Sequence, residues 1–373
     1  MKIYADHAAT TKLDPLAFEA MKPFLLEEYG NSSQLYSFAR GPKKALKEAR
    51  ETIADCIGAS PEEVYFTSGG TESDNWAIKG SAFPDVEKRA TITSAFEHHA
   101  VLNSCKAIER MGYPVAYLLP NSAGIVTADS LEQIITEKTR LVSVMTANNE
   151  IGVIQPIKEL ATVAHRYGAL FHTDAVQAVG HIPIDVKHLG IDMLSASAHK
   201  FNGPKGVGFL YIKKGAKLTP YADGGAQEQK MRAGTENIAG IVGMATALKR
   251  SREEMASRTA HIRQLEEVLL GRLAQYNLDY RMNGGAYHIP GNLSISFKNA
   301  DGEALLHRLD FMGICVSTGS ACNSESTELS HVLKAIQLPL EYAYGTIRIS
   351  LGYENTEEEA AIIADSIYKT LKK

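Results

Sequence analysis

Short apolar segments alternate with helical ones along the first half of the chain, and this alternation constrains the fold more than any other feature. The strand-like segments lie at 90–94, 115–119, 139–145, 170–173 and 193–195, with helical periodicity in much of the sequence between them. Strands that alternate with helices predict a mostly parallel sheet covered by helices on both faces. We therefore predict an α/β fold whose ligands bind beyond the carboxyl ends of the strands.

The second half of the chain departs from this pattern. One or two long helices are predicted from Ile238 to about Tyr276, and strand-like segments follow at Gly291–Phe297 and Thr346–Leu351. Helices predicted near these strands would pack on them, as in a smaller α+β domain, and we place a domain boundary inside the long helical region. The predicted division is a large domain of residues 15–255 and a small domain of residues 1–14 and 256–373.

Composition argues against several classes of protein. The 373 residues are 45% hydrophobic and 22% charged, which is ordinary for a globular protein, and a net charge of −4 gives no reason to expect nucleic acid. No uncharged apolar run is long enough to span a membrane, and the N-terminus lacks the apolar core of a signal peptide. The four cysteines form no Cys-x-x-Cys pair, which argues against a zinc site or a disulfide framework. We expect a reduced, cytoplasmic protein without a metal.

Lys200 stands in a stretch of small residues, 194–206, between two apolar strand-like segments, with His199 before it and Gly203 after it. A lysine in such surroundings is partly desolvated, and a desolvated amine loses its proton more easily. The neutral amine can form a Schiff base with an aldehyde cofactor. The same residues are also compatible with a lysine on an ordinary turn between strands.

Ser68-Gly69-Gly70-Thr71 falls between a strand-like segment and a helix. Glycines let the backbone approach a ligand closely, and a helix N-terminus offers free N–H groups that favour an anion. Thr71 adds a hydroxyl donor, so this segment could hold a phosphate group. A tight turn with Thr71 as the helix cap is the alternative.

Three more polar segments follow predicted strands. Asp174 could keep a proton on a heterocyclic nitrogen and Gln177 could bond a ring oxygen, although Asp174 could instead cap a helix. The pair His98-His99 offers an imidazole that could stack on a ring or carry protons, and we expect only one of the two to matter. The segment Asn148–Gly152 suits hydrogen bonds to a substrate carboxylate, or forms a polar turn.

These segments share one position, since each follows a strand of the same predicted sheet. A phosphate cradle, an acidic ring partner, a stacking imidazole and a Schiff-base lysine together describe a site for pyridoxal 5′-phosphate. Cys322 lies far from them along the chain, in a polar segment of Ser, Thr, Gly and Ala, where a nucleophilic thiol fits better than a core side chain. Cys56, Cys105 and Cys315 are expected to be structural.

With these residues in view, the chain resembles the cysteine desulfurases of the NifS/IscS type, which belong to the class-V aminotransferase family of fold-type I pyridoxal-phosphate enzymes. The resemblance runs nearly end to end. It implies a mostly parallel sheet of the seven-stranded type between helical layers, with a smaller α+β domain. It rests on Asp6–Thr11, Thr67–Ser73, Glu97-His98, Asn148–Gly152, His172–Gln177, Ser195–Lys200, Gly203–Gly206, Arg232–Asn237, Ser317–Cys322 and Ile347–Gly352.

The resemblance also implies a role for each candidate residue. Lys200 would carry the cofactor and move the Cα proton, Cys322 would take the sulfur, and His98 would stack on the ring and assist with protons. Asn149 and Arg348 would hold the substrate carboxylate, Arg348 through its guanidinium fork rather than as part of a rim ion pair. The other cofactor contacts would come from Gly70, Thr71, Ser197 and His199 at the phosphate, from Asp174 and Gln177 at the ring, and from Thr235 of the partner subunit in a homodimer.

The implied reaction converts L-cysteine to L-alanine and a persulfide on Cys322, whose sulfur passes to an acceptor protein for iron–sulfur cluster assembly or for tRNA or cofactor thiolation. The alternatives are a selenocysteine lyase, a related aminotransferase-like enzyme, or a sulfur carrier that has lost its cofactor. Asn323 stands where these enzymes often have threonine, Glu325 and Glu328 make the segment acidic, and the tail after Leu351 is short. These departures leave the identity of the acceptor open.

Overall fold

A computed structural model describes residues 2–83, 89–318 and 329–372, so Cys322 lies outside the described residues. Strands and helices alternate along the first half of the chain, as the sequence predicts. The strands within these ranges are β1 (Ile3–Tyr4), β2 (Val64–Thr67), β3 (Ala90–Ser94), β4 (Val115–Leu118), β5 (Thr139–Ser143), β6 (Leu170–Asp174), β7 (Met193–Ser197), β8 (Gly208–Ile212), β9 (Tyr280–Met282), β10 (Asn292–Phe297), β11 (Ile314–Cys315) and β12 (Thr346–Ser350).

The helices surround these strands. None in the described ranges is long and apolar enough to cross a membrane. They are α1 (Pro15–Leu26), α2 (Arg40–Ile57), α3 (Gly70–Ala82), α4 (His99–Arg110), α5 (Ala128–Glu132), α6 (Ile157–Arg166), α7 (Val186–Leu189), α8 (Ile238–Glu253), α9 (Met255–Ala274), α10 (Gly302–Phe311), α11 (His331–Ala335), α12 (Leu340–Ala343) and α13 (Glu357–Leu371).

The large sheet has seven strands in the order β2-β8-β7-β6-β5-β3-β4. The strands from β7 to β4 pair in parallel, whereas β8 runs antiparallel to both of its neighbours. The mostly parallel sheet predicted from the alternation of strands and helices is therefore confirmed. Because parallel strands end at one edge, the loops after β3, β5, β6 and β7 meet there.

Successive residues of the central strands are buried on opposite faces of this sheet, which explains why their sequences are apolar throughout. On β5, Leu141 packs with Trp76 of α3 and Ile108 of α4, while Val142 packs with the cluster that contains Ile53 of α2. Helices α6 and α8 contribute to the second cluster. The large sheet is thus the middle of three layers.

A second sheet is formed by β9, β10 and β12, which pair antiparallel, and its apolar cluster contains side chains of α9, α10 and α13. The chain start joins this region, because β1 pairs in parallel with β11. The predicted boundary after residue 255 falls at the first residue of α9. The division into two domains stays a prediction.

Predicted element bounds differ from the structure by a few residues in several places. The sequence keeps a helical periodicity from Leu16 to Tyr29, but α1 ends at Leu26, and Leu25, Leu26 and Tyr29 are exposed. Helix α2 ends at Ile57, and its C-cap Gly58 has a left-handed φ of 73° that glycine adopts without strain. The two-residue strands β1 and β11 escaped prediction because two residues carry no periodicity.

A buried ion pair supports the edge of the large sheet. The carboxylate of Glu228 accepts hydrogen bonds from both terminal nitrogens of Arg50 on α2, at 2.6 and 2.8 Å. It also accepts the N–H of Phe66 on the edge strand β2 at 2.8 Å, and the Glu228 side chain is only 3% exposed. Glu228 therefore joins α2 to a backbone group that would otherwise lack a partner.

Replacing Glu228 with alanine should lower the free energy of unfolding by about 3–5 kcal/mol, because Arg50 would keep its charge without a buried partner. The control is Glu51→Ala, which removes the exposed ion pair between Lys47 and Glu51 on α2, the helix that carries Arg50. It should lower the free energy of unfolding by less than about 1 kcal/mol. Urea unfolding followed by circular dichroism measures both. Equal losses for the two variants would contradict the role given to Glu228.

Candidate active site

A cavity of about 700 Å³ opens at the carboxyl ends of the central strands. Its wall comes from the loops after β2, β3, β5, β6 and β7 and from the chain start. Thr235 does not line it, and Cys322 lies outside the described residues. The other residues predicted from the sequence all line the cavity: Gly70, Thr71, His98, Asn149, Asp174, Gln177, Ser197, His199, Lys200 and Arg348.

Lys200 ends a single turn of 3₁₀ helix that directly follows β7. It does lie on a turn between strands, but its half-buried amine lines the cavity and donates to the carbonyls of Ala8 at 2.6 Å and Ala9 at 2.8 Å. Gly203 keeps the turn tight, since a Cβ there would lie 2.7 Å from the Cβ of Ala198. The turn therefore directs the lysine into the cavity.

The segment from Asp6 to Thr11 reaches the site across nearly 200 residues of sequence. Thr11 donates its N–H and its hydroxyl to the carbonyl of His199, at 3.0 and 2.9 Å, and Thr10 Oγ1 lies 3.1 Å from Nδ1 of His199. Gln177 donates to the same Ala8 carbonyl that Lys200 uses, at 3.0 Å. In the sequence this segment contributes to the family resemblance, but no pattern in it predicts a part in the site.

The predicted phosphate cradle is the N-terminus of α3. The helix cap is Gly69 and not Thr71, and Gly69 has no side chain to accept the N–H groups of the first turn. A Cβ at Gly70 would lie 2.5 Å from Cγ2 of Val176, and one at Gly69 would lie 3.4 Å from Oγ of Ser197. The glycines thus allow the side chains of Val176 and Ser197 to pack closely against the start of α3, and the cap provides no side chain to accept the first helix N–H groups, which suits an anion.

Asp174 is the last residue of β6 and lies at the cavity wall. Its Oδ1 accepts the N–H of Val176 at 2.9 Å, so the carboxyl does cap the following turn, and its side chain also faces the cavity. Burial raises the pKa of Asp174, while the neighbouring His98 and Lys200 act to lower it. A cationic ring nitrogen placed here would lie beside this acid, whose ionised form it would favour.

Both histidines after β3 line the cavity, although only one was expected to matter. His98 caps α4 by accepting the N–H of Ala100 on Nδ1 at 3.1 Å, and burial lowers the pKa of its imidazole. His99 packs beside His331, with ring centroids 4.9 Å apart. A neutral His98 suits ring stacking.

The neighbouring residues Asn148 and Asn149 make different contacts. Asn148 is fully buried and holds the turn together by accepting the N–H groups of Glu150 and Ile151 at 2.8 and 3.0 Å. Asn149 lines the cavity, and its carbonyl accepts a hydrogen bond from Arg348 at 2.8 Å. Asn148 therefore forms the polar turn, and Asn149, the next residue, lines the cavity.

Arg348 differs from expectation in one respect. No ion pair was expected for this residue, yet its Nη2 donates to Asp6 at 2.7 Å. The pair is not on the rim, because the Arg348 side chain is only 5% exposed, and its Nε has no hydrogen-bond partner among the described residues. Such an orphaned buried donor at a cavity wall is suited to an anionic ligand.

Behind the cavity wall lies a fully buried histidine that sequence reasoning left without a role. His172 Nδ1 lies 2.8 Å from Oγ of Ser143, and its Nε2 lies 3.0 Å from Oγ of Ser195. Burial lowers the pKa of His172 to about 3, so the ring is neutral at physiological pH. Two buried acids that line the cavity were also missed, Asp74 and Glu150. A single carboxylate in a helix or loop carries no pattern in the sequence.

Comparison with known proteins agrees with this geometry. Residues 3–363 match the family model of the class-V aminotransferases, and the chain belongs to that family. Over 374 residues it is 47% identical to the "Cysteine desulfurase IscS" of Dictyoglomus turgidum, with all of this chain and 95% of the relative covered. The protein of the same name from Methanosarcina thermophila is 46% identical, with all of this chain and 92% of that protein covered.

Solved structures agree as well. A "NIFS-LIKE PROTEIN" superposes with a TM-score of 0.94 at 38% identity, with both chains fully covered. A structure described as "SspA in complex with cysteine" superposes with a TM-score of 0.85 at 37% identity, covering 95% of this chain and all of the other. The family depends on pyridoxal 5′-phosphate. The glycine-lined helix N-terminus, the buried acid and the lysine amine around one cavity fit that group.

The buried His172 should make stability fall in mild acid. Between pH 3 and 6.5 the folded protein binds fewer protons at His172 than the unfolded chain, so lowering the pH from 6.5 to 5 should cost on the order of 2 kcal/mol. The variant His172→Gln should lose this part of the pH dependence. The matched control is His307→Gln, which changes an exposed histidine on α10. Urea unfolding of the cofactor-free protein across this range measures the effect, and an unchanged slope in His172→Gln would refute it.

Proposed function

We propose that the protein is a cysteine desulfurase, which takes the sulfur of L-cysteine as a persulfide on Cys322 and releases L-alanine. One observation carries the proposal: a single cavity contains the amine of Lys200, the buried acid Asp174, the uncapped N-terminus of α3 and the buried guanidinium of Arg348. Relatives at 43–47% identity that carry the name cysteine desulfurase support the substrate.

Each part of pyridoxal 5′-phosphate has a matching set of residues at this site. Lys200 would bind its aldehyde carbon, Asp174 its pyridine nitrogen, Gln177 its ring oxygen, and His98 its ring face. When bound, the cofactor supplies an electron sink for the charge that develops at the substrate Cα. The phosphate would be held by Gly70, Thr71, Ser197 and His199.

His199 should act on the phosphate as a hydrogen-bond donor and not as a cation. Burial lowers the pKa of His199 to about 4, and the charge of Lys200 beside it acts in the same direction. Its Nδ1 lies 3.1 Å from the hydroxyl of Thr10. If that hydroxyl donates, Nε2 carries the ring proton and can donate to an anion. Positive charge near the phosphate would then come from Lys200 and the helix N-terminus.

The substrate carboxylate would bind Arg348 and Asn149. Arg348 is held in place by Asp6 and by the Asn149 carbonyl, and its Nε remains available as a donor. Lys200 would take the proton from Cα, since its amine faces the cavity and the carbonyls of Ala8 and Ala9 orient it. Neutral His98 would accept or donate a second proton near the ring.

Sulfur transfer would be the work of Cys322. As a thiolate it would attack the substrate sulfur, so that an S–S bond forms, the C–S bond breaks, and the bonding electron pair stays with the carbon that becomes the methyl group of alanine. The flanking residues support this role: Ser317 pairs with Arg348, and Ser330 lines the cavity. Three residues lie between Thr318 and Cys322, and a chain spans at most about 3.5 Å per residue, so Cys322 is joined to the described part of the chain by a short tether.

A homodimer is part of the proposal. Thr235 is exposed and does not line the cavity of its own chain, which fits a role at the cavity of the partner subunit. Large apolar side chains stand exposed between residues 16 and 38, including Leu26 at 74%, Tyr29 at 72% and Leu35 at 96%, and an apolar surface of this kind favours association. The sulfur acceptor would be a cytoplasmic iron–sulfur scaffold or a thiolation enzyme.

Two substitutions test the chemistry separately. Lys200→Ala should lower alanine formation from L-cysteine by about 10³-fold or more and abolish the borohydride-reducible link to the cofactor. Cys322→Ser should keep the cofactor and its visible band but form no persulfide from ³⁵S-labelled cysteine. Cys56→Ser, in α2 and away from the cavity, is the control and should retain both activities. Labelled persulfide in Cys322→Ser, or normal turnover by Lys200→Ala, would refute the assignments.

Mixed dimers test the role of Thr235. Thr235→Ala should weaken cofactor affinity about tenfold, the loss expected for one hydrogen bond to a charged group. Co-expression with Lys200→Ala should produce mixed dimers in which one site has both an intact Lys200 and an intact Thr235 from its partner, and that site should regain wild-type affinity. A fully active monomer in sedimentation equilibrium would contradict the arrangement.

A further inference from the structure

Asp74 is a buried acid at the cavity wall that the proposed chemistry leaves unused. It lies on α3, four residues after Gly70, and the residue is 1% exposed. Its Oδ1 has no hydrogen-bond partner within the described residues. The nearest basic atom, Nε2 of His172, is 3.7 Å away and already lies within hydrogen-bond distance of Ser195.

Among residues 2–83, 89–318 and 329–372, no cation forms an ion pair that would balance a charge on Asp74. The titratable groups that face it are Asp174 at the end of β6, Glu97 after β3, His172 on β6 and Cys105 on α4. The first two are acids, and His172 is neutral because burial lowers its pKa. A carboxylate buried without a partner is costly, and a protein avoids that cost by keeping the group protonated.

Asp74 and Asp174 have different surroundings. Asp174 accepts the backbone N–H of Val176 and has the charges of His98 and Lys200 nearby, all of which favour its ionised form. Asp74 has only the hydroxyl of Ser195 to favour ionisation, while burial and the charge of Asp174 raise its pKa well above the usual value. Two carboxyl groups that interact and differ in this way divide the roles of acid and base between them.

We propose that Asp74 is a protonated carboxylic acid in the wall of the cavity, a positioning residue that leaves Asp174 as the ionised partner of the cofactor's pyridine nitrogen. The assignment of the pyridine nitrogen to Asp174 rests on the proposed function, whereas the proton on Asp74 does not. A second negative charge beside Asp174 would raise the pKa of a protonated pyridine nitrogen bound there. A neutral Asp74 adds no such charge, so of the two acids only Asp174 raises that pKa.

Infrared spectroscopy of the cofactor-free protein tests the proton directly. With ¹³C-labelled aspartate, the wild type at pH 7 should show a band of a protonated carboxylic acid that disappears in Asp74→Asn. Asp301→Asn, at the exposed cap of α10, is the matched control, and it should remove a carboxylate band instead. Loss of a carboxylate band in Asp74→Asn would overturn the proposal. If that variant fails to fold, Asp74→Glu keeps the acid and should shift the acid band to an unlabelled position.

The loaded enzyme provides a second readout. Asp74→Asn should leave the pH midpoint of the cofactor's visible band where it is in the wild type, because no charge is removed. If Asp74 were ionised, the same substitution would lower that midpoint, and the proposal would fail. Asp174→Asn should lower it in either case. An unchanged midpoint in Asp174→Asn would count against the proposed function instead, and would leave the infrared result on Asp74 standing.

Discussion

The site depends on the hydrogen bonds that join the chain start to the turn after β7. The carbonyls of Ala8 and Ala9 accept hydrogen bonds from the amine of Lys200, and Thr11 donates two hydrogen bonds to the carbonyl of His199. Asp6 in the same segment holds Arg348. One short segment thus orients Lys200, His199 and Arg348. It holds the lysine and the arginine in fixed positions relative to each other, which the proposed chemistry requires.

Burial decides which of the surrounding groups carry charge. His98, His172 and His199 all have lowered pKa values because they are desolvated, and Glu97 has a pKa raised to about 8 for the same reason. Because these desolvated groups are neutral, the charges that remain in the site act more strongly. The guanidinium of Arg348 and the carboxylate proposed for Asp174 are two of those charges.

Several parts of this site could be predicted because they depend on local pattern. The glycines before α3 and the polar residues after β3, β5 and β6 follow strands, and parallel strands end at one edge of a sheet. The clustering of Gly70, Asp174 and Lys200 was therefore open to prediction without a structure. Arg348 was predicted from resemblance alone, and its ion pair with Asp6 was missed because the two residues are 342 positions apart. No periodicity records a contact over that distance.

The α/β architecture, the order of strands and helices along the chain, and the kinds of side chain at the strand ends can be read from the sequence, since hydrophobic periodicity and turn residues act over a few positions. Three facts needed the folded structure: residues 6–11 contact Lys200, Glu228 joins α2 to the sheet edge, and Asp74 has no cation beside it in the part of the chain that the structure describes. Those facts depend on which distant residues share a desolvated space, and the protonation of a buried acid is set by that space.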